Sequence, residues 1–278
     1  MPSWRRLFPA CNPPIAYDSL RESMKAIERK EVGLTPKTVF ALGAALFLVT
    51  SLLSAGTADT VAAEGGEIRI TPVLHGSVQV EYGDKVIYVD PWSRGDYSKA
   101  PKADLILVTD IHGDHLDVEM IAKLRQDSTV LVVPAAAADK VDGETVMGNG
   151  ETHELAGILI EAVPMYNLKR GPEEGGLFHE KGRGNGYILT LGGQRLYLAG
   201  DTACIPEMRE LTDIAVAFVP MTLPYTMTPS EAAECVKAFQ PKVVYPYHYR
   251  GSDLGEFSAA LEDDSEIEVR IREWYPGS

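Results

Sequence analysis

Cysteine is scarce in this chain: Cys11, Cys204 and Cys235 are the three present among 278 residues, with no C-x-x-C spacing. That argues against a disulfide scaffold and against zinc held by thiolates. Internal repeats and low-complexity segments are missing too, which sets aside solenoids and arrays. Beyond residue 58 there is no basic patch. Lys169-Arg170 and the run from Lys181 to Arg183 are short and lie near Glu173, Glu174 and Glu180. Seven of the 26 basic residues and four of the 40 acidic ones precede Asp59, so the rest of the chain carries a formal net charge of −17. So acidic a body repels polyphosphate backbones and anionic lipid surfaces, and nucleic acid is not the expected partner. What is present is a globular composition, 45% hydrophobic and 24% charged, in a chain long enough to bury a large core.

The N-terminal part does not read as belonging to that globule. Residues 38–58, "TVFALGAALFLVTSLLSAGTA", carry no charge, and their best apolar run covers residues 39–53. Basic residues dominate before it, and small residues after it offer cleavage points before Asp59 ("GTA") and before Glu64 ("VAA"). A basic flank, a short apolar core and a small-x-Ala end describe an export signal. The uncharged run is also just long enough to span a bilayer as an uncleaved anchor. Met24 is an alternative start that would shorten the leader. The expectation is a leader over residues 1–63 and one domain over residues 64–278, lying outside the cytoplasm as a periplasmic or secreted protein, with any membrane contact through residues 38–58.

From Glu67 the pattern is rich in strands. "EIRITPVL", "SVQVEY" and "KVIYVD" are short β-branched runs, the last two joined at Gly83-Asp84 by a hairpin signal. "DLILVT" follows, then a helix from Asp117 to about Arg125 with apolar residues at helical spacing. "TVLVVPA", "GILIEAVPM", "NGYILTLGGQRLYLAGD" (turning at Gly192-Gly193) and "IAVAFVPM" supply further strands. Thr228 as N-cap, Pro229 at the first helical position and Glu231 closing a capping box mark a helix running to about Phe239. "VVYPYH" is a strand, Gly255 to Leu261 a helix and "EIEVRIREW" a last strand. Runs of strands with helices between them predict an α+β fold, a four-layer αββα sandwich.

Polar residues end these strands in a telling way. "KVIYV" ends in Asp90, "LILVT" in Asp110 with His112, Asp114 and His115 close behind, "RLYLAG" in Asp201 and "VVYPY" in His248. Sheet proteins often gather ligand sites at the C-terminal ends of their strands. Asp90 taken alone, before Pro91, reads as a turn starter. A turn does not explain the set, because carboxylates so close would repel one another without a counter-charge. A divalent cation supplies it.

The stretch "TDIHGDHLD" from Thr109 to Asp117 resembles the T-H-x-H-x-D-H-x-D signature of the metallo-β-lactamase superfamily. The order of the other pieces agrees: a strand-end Asp before it (Asp90), a "GDT" after it (Gly200, Asp201, Thr202) and a late strand-end His (His248). The resemblance covers about residues 67–278. "HGSVQVEYGDKVIYVDPW", from His75, further resembles the branch of ascorbate-phosphate lactonase-like and N-acyl-phosphatidylethanolamine phospholipase D-like enzymes.

The resemblance implies two metal positions bridged by Asp201. Asp114, His115 and His248 belong to the second, which is complete. Asp110 and His112 belong to the first, where Asp110 stands in the place of a His. The middle strand that would bring a further His ends at Tyr166-Asn167, so either Asn167 or His179, in the loop after it, would complete that position. His153 reads as a surface turn residue and His75 as a turn residue near the site rim. One or two divalent ions are implied: zinc first, with manganese, iron or magnesium favoured by the extra oxygen ligand. The implied chemistry is metal-assisted hydrolysis of an ester, lactone or phosphoester of a small or lipid-derived molecule, with a metal-bound hydroxide as nucleophile and Asp114 orienting the water. The alternative is a non-catalytic binding protein with a degenerate first site, motivated by Asp110 and the missing middle His.

Overall fold

The computed structural model describes residues 58–275. Residues 1–57 of the expected leader, Cys11 among them, lie outside the described residues. Two seven-stranded sheets carry the fold. The first runs in sequence order: β1 (Asp59–Ala63), β2 (Gly66–Leu74), β3 (Ser77–Tyr82), β4 (Lys85–Val89), β5 (Leu105–Leu107), β6 (Val130–Pro134) and β7 (Glu144–Met147). The second comprises β8 (Thr152–Leu155), β9 (Ile158–Met165), β10 (Gly184–Leu191), β11 (Gln194–Leu198), β12 (Ile214–Pro220), β13 (Val243–Tyr247) and β14 (Glu268–Val269), also in sequence order.

Alternation along the strands builds the layers. Val78 and Val80 of β3, and Ile87 and Val89 of β4, face Leu189 of β10 and Val216 and Phe218 of β12 across the inter-sheet core. The intervening residues face outward. Tyr88, Ile106 and Val108 take the apolar side of α1 (Val118–Leu124), which buries Met120, Ile121 and Leu124. Ala217, Val219 and Val244 take α3 (Pro229–Phe239) and α4 (Leu254–Leu261). The result is the expected four-layer αββα sandwich. Caps fall where the sequence places them. Asp117 Oδ1 accepts from the Met120 N–H at 3.0 Å, and Thr228 and Glu231 close a capping box under Pro229.

Some elements depart from the sequence reading. Residues 59–63, assigned to the leader from the sequence, form β1, which pairs antiparallel with β2 from Asp59↔Ile70 to Ala63↔Gly66. Asp59 is also tied to Arg272, whose Nε lies 2.8 Å away. β7, β8, the 3-10 turn Ala135–Lys140 and the short α2 (Pro206–Arg209) carry no strong periodicity and were not expected. The last strand is much shorter than "EIEVRIREW". After Val269 the chain turns so that Arg270 reaches Glu268 and the Tyr245 hydroxyl, and Trp274 is fully buried in the inter-sheet core. Cys204 and Cys235 form a disulfide between the loop before α2 and α3. It is a single cross-link rather than a scaffold, and spacing alone did not reveal it. Among the described residues no helix is long and apolar enough to cross a membrane.

Candidate metal centre

β4, β5, β11 and β13 all deliver their C-terminal ends to one edge of the sandwich, and the polar residues that follow them meet there. Among the described residues, three of the six non-glycine positions with positive φ lie at this edge: His75 (59°), Asp90 (46°) and His248 (46°). Such conformations cost free energy and persist where the surroundings enforce them, often at functional sites. Gly200, at φ +63°, makes the turn into Asp201. A Cβ there would lie 2.4 Å from Met165 Sδ, so only glycine lets this loop close on β9. Its N–H donates to the Tyr247 hydroxyl at 2.8 Å.

Asp201 sits at the middle of the cluster. Its Oδ2 is 3.4 Å from both His115 Nε2 and His179 Nε2, and its Oδ1 is 3.3 Å from His248 Nε2. Each of the three buried imidazoles is held from behind. The Nδ1 of His115 lies 2.8 Å from Asp90 Oδ2, and Asp90 in turn accepts from the Thr109 N–H at 2.7 Å and its hydroxyl at 2.6 Å. The Nδ1 of His248 lies 3.0 Å from the Thr222 hydroxyl, which itself donates to the His248 carbonyl. The Nδ1 of His179 lies 2.8 Å from Asn167 Oδ1, which also accepts the His179 backbone N–H. Because Asn167 Nδ2 donates to the Tyr225 carbonyl, its oxygen is the atom facing His179. Each backing oxygen accepts, so each Nδ1 carries a proton and each Nε2 points into the cluster.

Those Nε2 atoms, together with Asp201 Oδ1, are buried without a hydrogen-bond partner. Orphaned polar atoms in a native interior need a reason, and a divalent cation bound among them satisfies all four. The donor set of imidazoles and carboxylates fits such an ion. Candidate ligand atoms group as His115, Asp201 and His248, as His75, Asp114 and His248, and as Asp110, His112 and His179.

The structure therefore brings together all six residues singled out in the sequence: Asp110, His112, Asp114, His115, Asp201 and His248. Asp114 Oδ2 is 3.5 Å from His248 Nε2 and 3.8 Å from His115 Nε2. Of the two residues left open for the first position, His179 presents its ring and Asn167 stands behind it. Two further partners were not anticipated, and a third, Asp90, was named only as a strand-end member of the set. His75, read as a rim turn residue, places Nε2 3.1 Å from Asp114 Oδ2 and Nδ1 2.6 Å from the Tyr275 hydroxyl, with its ring 3.6 Å from that of His248. Asp90, a turn starter when taken alone, is the carboxylate behind His115. Arg183 grips Asp110, its Nε donating to Oδ1 at 3.0 Å and its Nη2 to Oδ2 at 2.9 Å. His153 is remote from the cluster: it lies exposed on β8 with Nε2 3.7 Å from Glu151.

Charge and burial set the protonation states. Burial penalises the charged form of Asp110, but hydrogen bonds from His112 and Arg183 and the nearby imidazoles hold its pKa down to about 2. Burial likewise opposes ionisation of Asp201 and Asp114, and the surrounding histidines outweigh it and keep both well below the usual carboxylate range. Burial alone would lower His115, yet Asp201 and Asp90 raise it well above its ordinary value. His179 is pulled down to about 4 by burial, against the pull of Asp201 and Asp110, and is neutral at pH 7.

Residues 69–248 match the family model described as a beta-lactamase superfamily domain. The UPF0173 metal-dependent hydrolase of Pyrococcus abyssi is 32% identical over 221 residues, covering 73% of this chain and 96% of that protein. Among solved structures, a proposed metal-dependent hydrolase of Parabacteroides distasonis is 43% identical with a TM-score of 0.74, over 79% of this chain and 100% of that one. Igni18, a metallo hydrolase of Ignicoccus hospitalis, is 25% identical with a TM-score of 0.63, over 74% of this chain and 95% of that one.

Proposed function

The chain belongs to the beta-lactamase superfamily and is a metal-dependent hydrolase, and from that premise we propose that it cleaves an ester, lactone or phosphoester bond in a small or lipid-derived molecule. The observation that carries the site assignment is the convergence of the unpartnered Nε2 atoms of His115, His179 and His248 on Asp201. On this reading Asp114, His115, Asp201 and His248 hold one divalent ion. Asp110, His112 and His179, with Asp201 between the two, form the position for another. Zinc suits the imidazoles, and the carboxylates also admit manganese, iron or magnesium. Such an ion, when bound, supplies Lewis acidity toward a substrate oxygen and acidifies water.

The chain's own groups do the rest. Asp114 is the partly exposed carboxylate of the centre, and His75 fixes its Oδ2 from the protein side. Its free face can accept a hydrogen bond from the attacking water and so orient it. His75 is itself set by the Tyr275 hydroxyl. The half-exposed His112 marks the side open to substrate. Apolar side chains flank the loop that carries His179. Leu168 and Tyr225 are exposed, and Phe178, adjacent to His179, packs edge-on to Tyr225 at 5.0 Å. Apolar side chains on that one side support a substrate with a hydrocarbon portion, and the acidic body disfavours polyanionic ones.

Export is part of the same proposal. The basic flank and apolar run of residues 1–58 support it, and so does the Cys204–Cys235 disulfide, a bond that persists in oxidising compartments. Protein from the native host should begin near Asp59 or Glu64, or remain anchored through residues 38–58. Soluble cytoplasmic protein retaining Met1 or Met24 would overturn export.

The activity test is turnover by zinc- or manganese-loaded full chain against a panel of aryl esters, acyl lactones and phosphodiesters of graded chain length. Metal-dependent cleavage of one class, lost in His248→Ala, is the expected result. Metal-loaded protein inert on the whole panel would overturn the substrate class.

A further inference from the structure

Resting on that reading of the centre, we propose that Arg183 makes the two metal positions unequal. The position built from Asp114, His115, Asp201 and His248 fills tightly, and the one built from Asp110, His112 and His179 binds a cation weakly because a guanidinium already neutralises Asp110.

The geometry is specific. Arg183 meets Asp110 as a fork, with one N–H on each carboxylate oxygen at 3.0 and 2.9 Å, the arrangement that gives the strongest charge-assisted pairing. Asp110 is fully buried, and Oδ2, the oxygen nearer the cluster, also lies 2.8 Å from His112 Nδ1. A cation binding there must share an oxygen that already has two partners, beside a fixed positive charge. The arginine is not free to swing away at the backbone. Gly184, next in the chain, packs so closely on the strand end that a Cβ would sit 2.6 Å from the Thr109 carbonyl. One residue on, the Asn185 N–H donates to that same carbonyl at 2.9 Å.

The other position differs in its charged neighbours. The ion pairs of Asp114 and Asp201 are with imidazoles. The Nε2 atoms of His115 and His248 and the Oδ1 of Asp201 have no partner to give up. A charge a few ångströms away shifts the equilibrium of a neighbouring charged group by about one to three powers of ten. A cation should feel Arg183 by a comparable factor at the Asp110 position and much less at the other.

The test is calorimetric titration of chelator-stripped full chain with zinc chloride and, separately, manganese chloride, with bound metal counted by mass spectrometry. The wild type should take one tight equivalent and a second at least about tenfold weaker. Arg183→Gln should tighten the weaker equivalent at least about tenfold and leave the tight one unchanged. Should that variant fail to fold, Asp110→His combined with Arg183→Gln leaves no buried charge unpaired and should bind two equivalents with similar affinity. Two equal equivalents in the wild type, or unequal ones whose ratio neither variant changes, would overturn the role of Arg183 and leave the metal centre standing. A wild type that binds no metal would overturn the centre itself, and this inference with it.

Discussion

Asn167 and His179 are locked together by three hydrogen bonds: Asn167 Oδ1 accepts both the backbone N–H and the Nδ1–H of His179, each at 2.8 Å, and the Asn167 N–H donates to the His179 carbonyl at 2.8 Å. The pair lets a loop residue do what a strand-end histidine would do, since the asparagine fixes ring, tautomer and loop in one contact. Asn167→Ala should therefore weaken metal binding at the Asp110 side by about 10–100-fold, the usual effect of removing a ligand's backing group. It should also cost about 1–3 kcal/mol of stability through the buried donors left unpaired. Zinc titration and urea unfolding of the stripped protein measure the two effects. Unchanged metal affinity in a folded variant would show that His179 needs no such support.

His248→Ala and Asp201→Ala should abolish turnover while leaving a folded protein, because both side chains lie beyond the strand ends rather than in the inter-sheet core. Asp201 has no backing partner outside the cluster, so its loss should also empty both metal positions. His153→Ala, on the exposed edge of the second sheet, should change neither activity nor metal content. Activity, metal analysis and circular dichroism on the three variants check this. Equal damage from His153→Ala would sink the assignment.

The sequence was most readable where a short pattern carries its own physics. Thr228-Pro229 with Glu231 announces a helix start locally, and β-branched alternation announces β3, β4 and β12. The six clustered residues were readable for a related reason: a polar side chain just past a buried strand is anomalous wherever it occurs. The missing parts are those made by contacts distant in sequence. Arg183 meets Asp110 across 73 positions and His75 meets Tyr275 across 200, and nothing local to "GRGN" or "LHGS" marks either pairing. His179 was visible as a candidate, but its fitness depends on Asn167 behind it. Asp110 illustrates the consequence. From sequence it adds a negative charge to the site, and Asp110→His should favour zinc and shift activity to lower pH. With Arg183 beside it the charge is already balanced, and the single substitution strands a guanidinium next to an imidazole. Asp110→His alone is accordingly expected to lose stability, and only the variant that also replaces Arg183 tests metal choice.

The Cys204–Cys235 bond reaches from three residues past Asp201 onto α3, across a separation of 31 residues. Closing a loop of that size stabilises a fold by about 2–4 kcal/mol. Cys204→Ser should lower unfolding free energy by about that amount, measured in denaturant. Metal affinity should fall as well, because the Asp201 loop loses its tether. A variant with wild-type stability and affinity would mean that the hydrogen bonds of the Tyr166 backbone with the Thr202 hydroxyl and the Ala203 N–H hold the loop by themselves.

His179 predicts a pH dependence that can be isolated. Its pKa in the fold is about 4 because of burial, against about 6.5 in an unfolded chain. Between those values the unfolded state binds a proton that the folded state refuses, so stability falls as pH drops through the window from about 6.5 to 4. From pH 7 to pH 5 this one group should cost about 2 kcal/mol. His115 has the opposite sign: its raised pKa contributes stability that is full below about 6.5 and is lost at higher pH, so the two windows do not overlap. Urea unfolding of chelator-stripped wild type and His179→Gln at pH 7 and pH 5 separates the term. The wild type should lose about 2 kcal/mol more than the variant, and parallel losses would show that His179 is not held neutral. Added zinc should raise the wild-type transition temperature in a concentration-dependent way. That gain should shrink toward pH 5, because zinc must displace the proton that Asp201 and Asp90 hold on His115, and the displacement is harder as pH falls.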